Sequence, residues 1–141
     1  MVVNWKLPMF SVTKLFVLIM LTTSVDSQVV IRKTPYDLMD RNNSYWVMKV
    51  NQMVARPSFP ANISFRTFNG PVVYNIDCST SSNVLYINDE IIFLTSYNWT
   101  IGVTYYVMLD EGVLFATRCQ NSSTHQTYDF WPVRVVVPSN G

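Results

Sequence analysis

Three groups of residues carry side chains that could do chemistry. They are the adjacent acids Asp89-Glu90 and Asp110-Glu111, the single histidine His125 beside Ser122 and Ser123, and the cysteines Cys78 and Cys119. Two carboxylates act as metal ligands or as an acid/base pair only if they converge on one atom, and neighbours on a strand point to opposite faces. No D-x-D-x-D-G loop of the calcium-binding type accompanies either pair. Asp110-Glu111-Gly112 falls between two apolar runs, 105–109 and 113–116. The expectation there is a hairpin turn, with Gly112 free to take positive φ. His125 lies in the polar stretch 121–127. Near neighbours in a loop rarely reach triad geometry, and no nucleophile elbow is present. His125 is expected to be a solvated loop residue, and no catalytic residue, metal site or cofactor is assigned.

The cysteines are read through the compartment. Lys6 and Lys14 give a positive start, residues 15–21 are an apolar run, and Val25 and Ser27 place small residues before Gln28. This is the pattern of a cleaved secretory signal peptide over 1–27. The apolar run is shorter than the roughly 20 residues that span a bilayer. In a secreted chain two cysteines read as one disulfide, Cys78–Cys119. It would close a loop of about 42 residues, worth ~4 kcal/mol in the chain-entropy model. The rival states are a free thiol and an intermolecular bridge. Four sequons point to the same compartment, with acceptors Asn42, Asn62, Asn98 and Asn121. Asn98 and Asn121 lie in polar stretches between predicted strands, whereas Asn62 opens a strand and is the poorest acceptor.

Residues 28–141 form one domain, with no repeat, linker or low-complexity tract. Short alternating runs separated by turn residues recur about every 10 residues, the pattern of an antiparallel sandwich. Residues 44–53 alternate Tyr45, Val47, Lys49 against Trp46, Met48, Val50. Residues 63–68 lead into Asn69-Gly70, the strongest short hairpin signal, and 72–76 return as the partner strand. Residues 83–87 and 90–95 flank Asn88-Asp89. The last strand, 130–137, contains Pro132, which belongs at an edge or a bulge. Only 35–41 is short and irregular enough to be read as a turn of helix. The fold class is all-β.

Lys and Arg number 10 and Asp and Glu 9, with no basic cluster. Nucleic acid and anionic membranes, which need concentrated positive charge, are not expected partners. No second hydrophobic segment follows the leader, so no membrane anchor is expected in this chain. Aromatics make up 14% of the sequence, more than one small core holds. Tyr97 and Trp99, in a predicted loop, are therefore candidates for contact with a partner protein.

One ordered set of residues, over about 75 positions, resembles a known family. Asn62-Ile63, Asn69-Gly70, Asn88 before Ile91-Ile92-Phe93, then Trp99, Gly102, Tyr105, Tyr106, Val107, Asp110, Gly112 and finally Phe130-Trp131 follow in sequence. This is similar to the bacterial Ig-like repeat of S-layer and adhesin proteins and its animal extracellular counterparts. The segment Arg118-Cys119-Gln120-Asn121-Ser122 departs from the bacterial pattern and fits an animal or viral secreted version, and Pro132 also departs. No metal role is carried over. The resemblance implies an Ig-like β-sandwich serving as an adhesive or matrix module, as a unit of a longer repeat protein or alone. The second expectation is a secreted immune-modulating ligand or decoy of viral Ig-like type. Both act on an extracellular or cell-surface protein.

Overall fold

The computed structural model describes residues 28–118 and 121–138. The expected leader, 1–27, and Cys119 lie outside them. In chain order the strands are β1 (Val30–Thr34), β2 (Asp37–Asp40), β3 (Tyr45–Val50), β4 (Val54–Ala55), β5 (Asn62–Arg66), β6 (Val72–Asp77), β7 (Val84–Ile87), β8 (Glu90–Leu94), β9 (Thr104–Ala116), β10 (Ser122–His125) and β11 (Pro132–Val136). The described residues are all-β, as expected. One sheet is four-stranded, in the order β1-β3-β8-β7. The other runs β2-β11-β9-β5-β6, with β4 and β10 also paired to β9. Every pairing is antiparallel except β2 with β11.

The two sheets share one core, built by the alternation that the sequence carries. On β3, Trp46, Met48 and Val50 turn inward, and Ile63 and Phe65 do so on β5. Ile91 and Phe93 on β8, Val107 and Leu109 on β9, and Val133 and Val135 on β11 complete the layer. Trp46 sits at its centre. Its ring is stacked on Phe93 at 5.8 Å and meets Phe65, Trp99 and Trp131 edge-on at 5.1, 5.7 and 5.6 Å. A buried indole needs an acceptor for its N–H. Trp46 Nε1 donates to Thr95 Oγ1 (3.0 Å), Trp99 Nε1 to the Asn43 carbonyl (2.9 Å) and Trp131 Nε1 to the Pro35 carbonyl (2.8 Å).

Four expectations are corrected. Residues 35–41 hold no helical turn. The chain leaves the four-stranded sheet after Thr34, and β2 pairs with β11 from Val133↔Asp37 to Val136↔Asp40. The available edge of β11 satisfies this backbone better than an isolated helical turn could, and Met39 reaches the core. Residues 122–125, read as polar loop, form β10 on β9.

The third correction concerns Asp110-Glu111-Gly112. No turn forms there, because β9 runs unbroken for 13 residues. Ser123 pairs with Leu114 but His125 with Leu109, so four residues of β9 face Thr124 alone. The acids and glycine are the extra residues of a β-bulge. Gly112 does have positive φ, at 100°, which a bulge demands as readily as a turn. The fourth correction is Pro132, which lies neither on an edge strand nor at a bulge, because β11 runs between β2 and β9. It is the first residue of β11, ahead of the pairing with β2.

Candidate contact surface

The acid pairs do not converge. Asp110 Oδ2 accepts from the Asn62 backbone N–H and from Asn62 Nδ2, both at 3.1 Å, while Oδ1 accepts from Gln126 Nε2. Glu111 is exposed. Asp89 pairs with Lys49 and Glu90 with Arg32, each at 3.4 Å. Such surface pairs are worth about 0–1 kcal/mol. Among the described residues no three His, Cys, Asp or Glu side chains are grouped to hold a metal.

His125 is not a solvated loop residue. It ends β10, half-buried, with its ring stacked on Phe130 at 4.1 Å and 15°. Lys33 Nζ lies over the same phenyl ring at 4.5 Å and donates to the Phe130 carbonyl. His125 Nε2 is buried, and among the described residues it has no hydrogen-bond partner. The two serines are committed elsewhere: Ser122 Oγ accepts from the Gly112 N–H, and Ser123 Oγ donates to Gln28 Oε1. Burial first, and the Lys33 charge second, hold the imidazole below its ordinary pKa. The unfolded chain therefore takes up this proton near pH 6.5, before the folded chain does. Stability from this group is complete above about pH 6.5 and falls as pH drops toward the folded value. In urea titrations across that window, His125→Gln is expected to flatten the slope relative to the native chain. Identical slopes would contradict this.

Cys78 is fully buried, and among the described residues its thiol has no disulfide partner. Burial pushes the thiol up to about 11, with the Tyr86 hydroxyl and Arg56 opposing. The Arg56 guanidinium closes the site by donating to the carbonyls of Cys78, Ser81 and Val84. The expected partner, Cys119, lies outside the described residues, and no disulfide forms within them.

The sequon asparagines differ sharply. Asn42, Asn98 and Asn121 are exposed. Asn62 sits within the larger sheet, and the nitrogen that would carry a glycan is the one bonded to Asp110. A sugar there would take one of the amide's two N–H donors and compete with Asp110 for the space around it. Glycopeptide mass spectrometry of the chain expressed through a eukaryotic secretory pathway is expected to find Asn62 bare and Asn98 occupied. A substantial glycosylated fraction at Asn62 would overturn this.

Of the two aromatics singled out for partner contact, Trp99 offers no surface. It is 3% exposed, with its ring 4.9 Å from Tyr105 and 5.2 Å from Phe65. Tyr97 is half-buried against Tyr74, Trp99 and Tyr105. The alternation of a strand continues through 95–100 although no ladder does, so Thr95 and Trp99 turn in while Asn98 turns out. Beside this segment opens a polar cleft of about 370 Å³, lined by Arg41, Ser44, Ser96 and the sequon residues Asn42 and Asn98 among others.

The prominent surface lies on the outer face of the four-stranded sheet. Register puts Tyr45 beside Leu94, Val47 beside Ile92, and Lys49 beside Glu90. Leu85 adjoins Ile92 on the far side and Ile87 adjoins Glu90. Thr34 and Arg32 flank Val47 and Lys49. Six adjacent apolar side chains thus cover β3, β8 and β7, with charges only along one end. Tyr45, Leu85, Ile87 and Leu94 are 51, 53, 48 and 45% exposed. Lone apolar residues on a surface are ordinary, but a contiguous patch marks an interaction site. A sequence signal for it exists: VLYI and EIIFL are apolar in both phases of the alternation, as strands covered on both faces are. No family model matches the chain, and no curated protein matches it.

Proposed function

We propose that the chain is a secreted, glycosylated Ig-like β-sandwich that works by protein contact, as an adhesion or matrix module. The apolar outer face of the four-stranded sheet carries this reading. Among the described residues nothing covers that face, and burying it against another protein would stabilise the contact by about 25 cal/mol per Å² of apolar area. The Ig-like type is supported by the strand order. β1-β3-β8-β7 against β2-β11-β9-β5-β6 is the A-B-E-D against A′-G-F-C-C′ order of variable-type domains. Tyr105, at the start of β9, supports it further. Its hydroxyl accepts from the Thr100 N–H at 3.1 Å, as in the tyrosine corner of such domains. The family differs at the centre, where a disulfide joins strands B and F. Here β3 and β9 carry no cysteine, and Trp46 fills the space between the sheets.

The test is saturable binding of the purified glycoprotein to a panel of animal cell surfaces and matrix proteins. Ile92→Lys, in the centre of the patch, is expected to reduce binding at least tenfold. Val72→Lys, on the outer edge of the other sheet, is expected to leave it unchanged. Binding indifferent to Ile92→Lys, or no saturable binding at all, would overturn the reading.

A further inference from the structure

We propose that the outer face of the four-stranded sheet docks a second copy of this chain, forming a two-fold dimer. This rests on the protein-contact reading and names its partner. An isologous interface needs a surface complementary to itself. Place a two-fold axis parallel to the strands, midway between β3 and β8, and let two copies meet face to face. The rotation exchanges those strands and keeps each row in place. Val47 of one copy then covers Ile92 of the other, and Tyr45 covers Leu94. In the charged row, Lys49 of one copy lies over Glu90 of the other, and each match occurs twice. Thr34 and Arg32 on the β1 edge meet Leu85 and Ile87 at the β7 edge of the other copy.

Both signs of charge at one end of the sheet make this complementarity specific. Had β3 and β8 carried like charges in that row, the same rotation would have set them against each other. Sheets packed this way keep their strands within about 30° of alignment, so the central pair of strands holds the contact while the edges diverge. None of Asn42, Asn62, Asn98 and Asn121 lies on β1, β3, β7 or β8, and the two nearest, Asn42 and Asn98, border only the Tyr45–Leu94 end of the face. Ten side chains on four strands make a contact at the small end of specific interfaces. The dimer is therefore one that dissociates on dilution.

Sedimentation velocity of the mature glycoprotein over a concentration series tests the proposal. The native chain is expected to shift from monomer to dimer, and Ile92→Lys to remain monomeric throughout. Lys49→Glu and Glu90→Lys are each expected to weaken dimerisation at least tenfold. Mixed together they should associate again, because each copy then presents the charge the other lacks. The charge clash within each chain persists in the mixture, so only contact between copies explains recovery. Thermal melting of each variant alone verifies that it is folded. A native chain monomeric at every concentration, or a mixture no more associated than its components, would overturn the dimer. A monomer that still binds cells through Ile92 would remove the second copy as partner and leave the protein-contact reading standing.

Discussion

Trp46→Ala is expected to cost about 4 kcal/mol or more. Truncating a fully buried tryptophan removes its transfer free energy and leaves a cavity, together worth about 3–5 kcal/mol. Here the cavity would open at the point where both sheets meet, among Phe65, Phe93, Trp99 and Trp131. Aromatic rings held edge-on and stacked from four sides cannot collapse into it together. The Thr95 hydroxyl, itself buried, also loses its donor, for about 1 kcal/mol more. Domains of this size are stable by about 5–15 kcal/mol, so the variant keeps at most a fraction of its folded population on heating. Denaturant unfolding followed by far-ultraviolet circular dichroism measures the difference. Trp46→Phe, which retains most of the volume, is expected to lose about half as much. A loss below about 1 kcal/mol for the alanine variant would show that the two sheets are not held by this cluster.

Gly112→Ala is expected to cost about 2–4 kcal/mol, from strain at φ of 100° and from crowding. A Cβ at this position would lie 2.5 and 2.7 Å from the Phe59 ring and 3.2 Å from Ala61 Cβ. The ring of Phe59 is exposed and can swing aside, but the fully buried Ala61 has little room to give. Gly102 provides the control. Its φ is 85°, yet a Cβ there meets nothing within 4 Å. Gly102→Ala should therefore cost only the backbone strain, about 1 kcal/mol. Equal losses for the two variants would mean that the bulge is not packed as described.

The bulge illustrates where the sequence is legible and where it is not. Asp-Glu-Gly signals positive φ, and Gly112 adopts it. Whether the flanking runs fold back on each other or continue is decided by distant neighbours: β5, β10 and β4 hold successive parts of β9. Local signals fared well where neighbours in sequence are neighbours in space. Asn88 takes φ of 54° between β7 and β8, and Asn69 takes 55° between β5 and β6. The alternation of Trp46, Met48 and Val50 survives intact in β3. The parallel strand β2 was illegible because its partner lies almost 100 positions away. β10 was hidden because Ser-Ser-Thr-His has no apolar alternation, as a strand lying along the edge of a bulge needs none. The contact surface was readable in principle, from strands apolar in both phases. The loop aromatics point instead to Tyr97 and Trp99, and the core absorbs Trp99.

Hydroxyl-radical footprinting reads the proposed contact surface directly. The protein would be labelled dilute, as free monomer, and again when bound to the cells that capture it. Tyr45, Leu85 and Leu94 are expected to lose reactivity on binding, while Phe68 and Val72, on the hairpin of the other sheet, keep theirs. Protection of Phe68 and Val72 with Tyr45, Leu85 and Leu94 unchanged would contradict the assignment of this face as the site of protein contact.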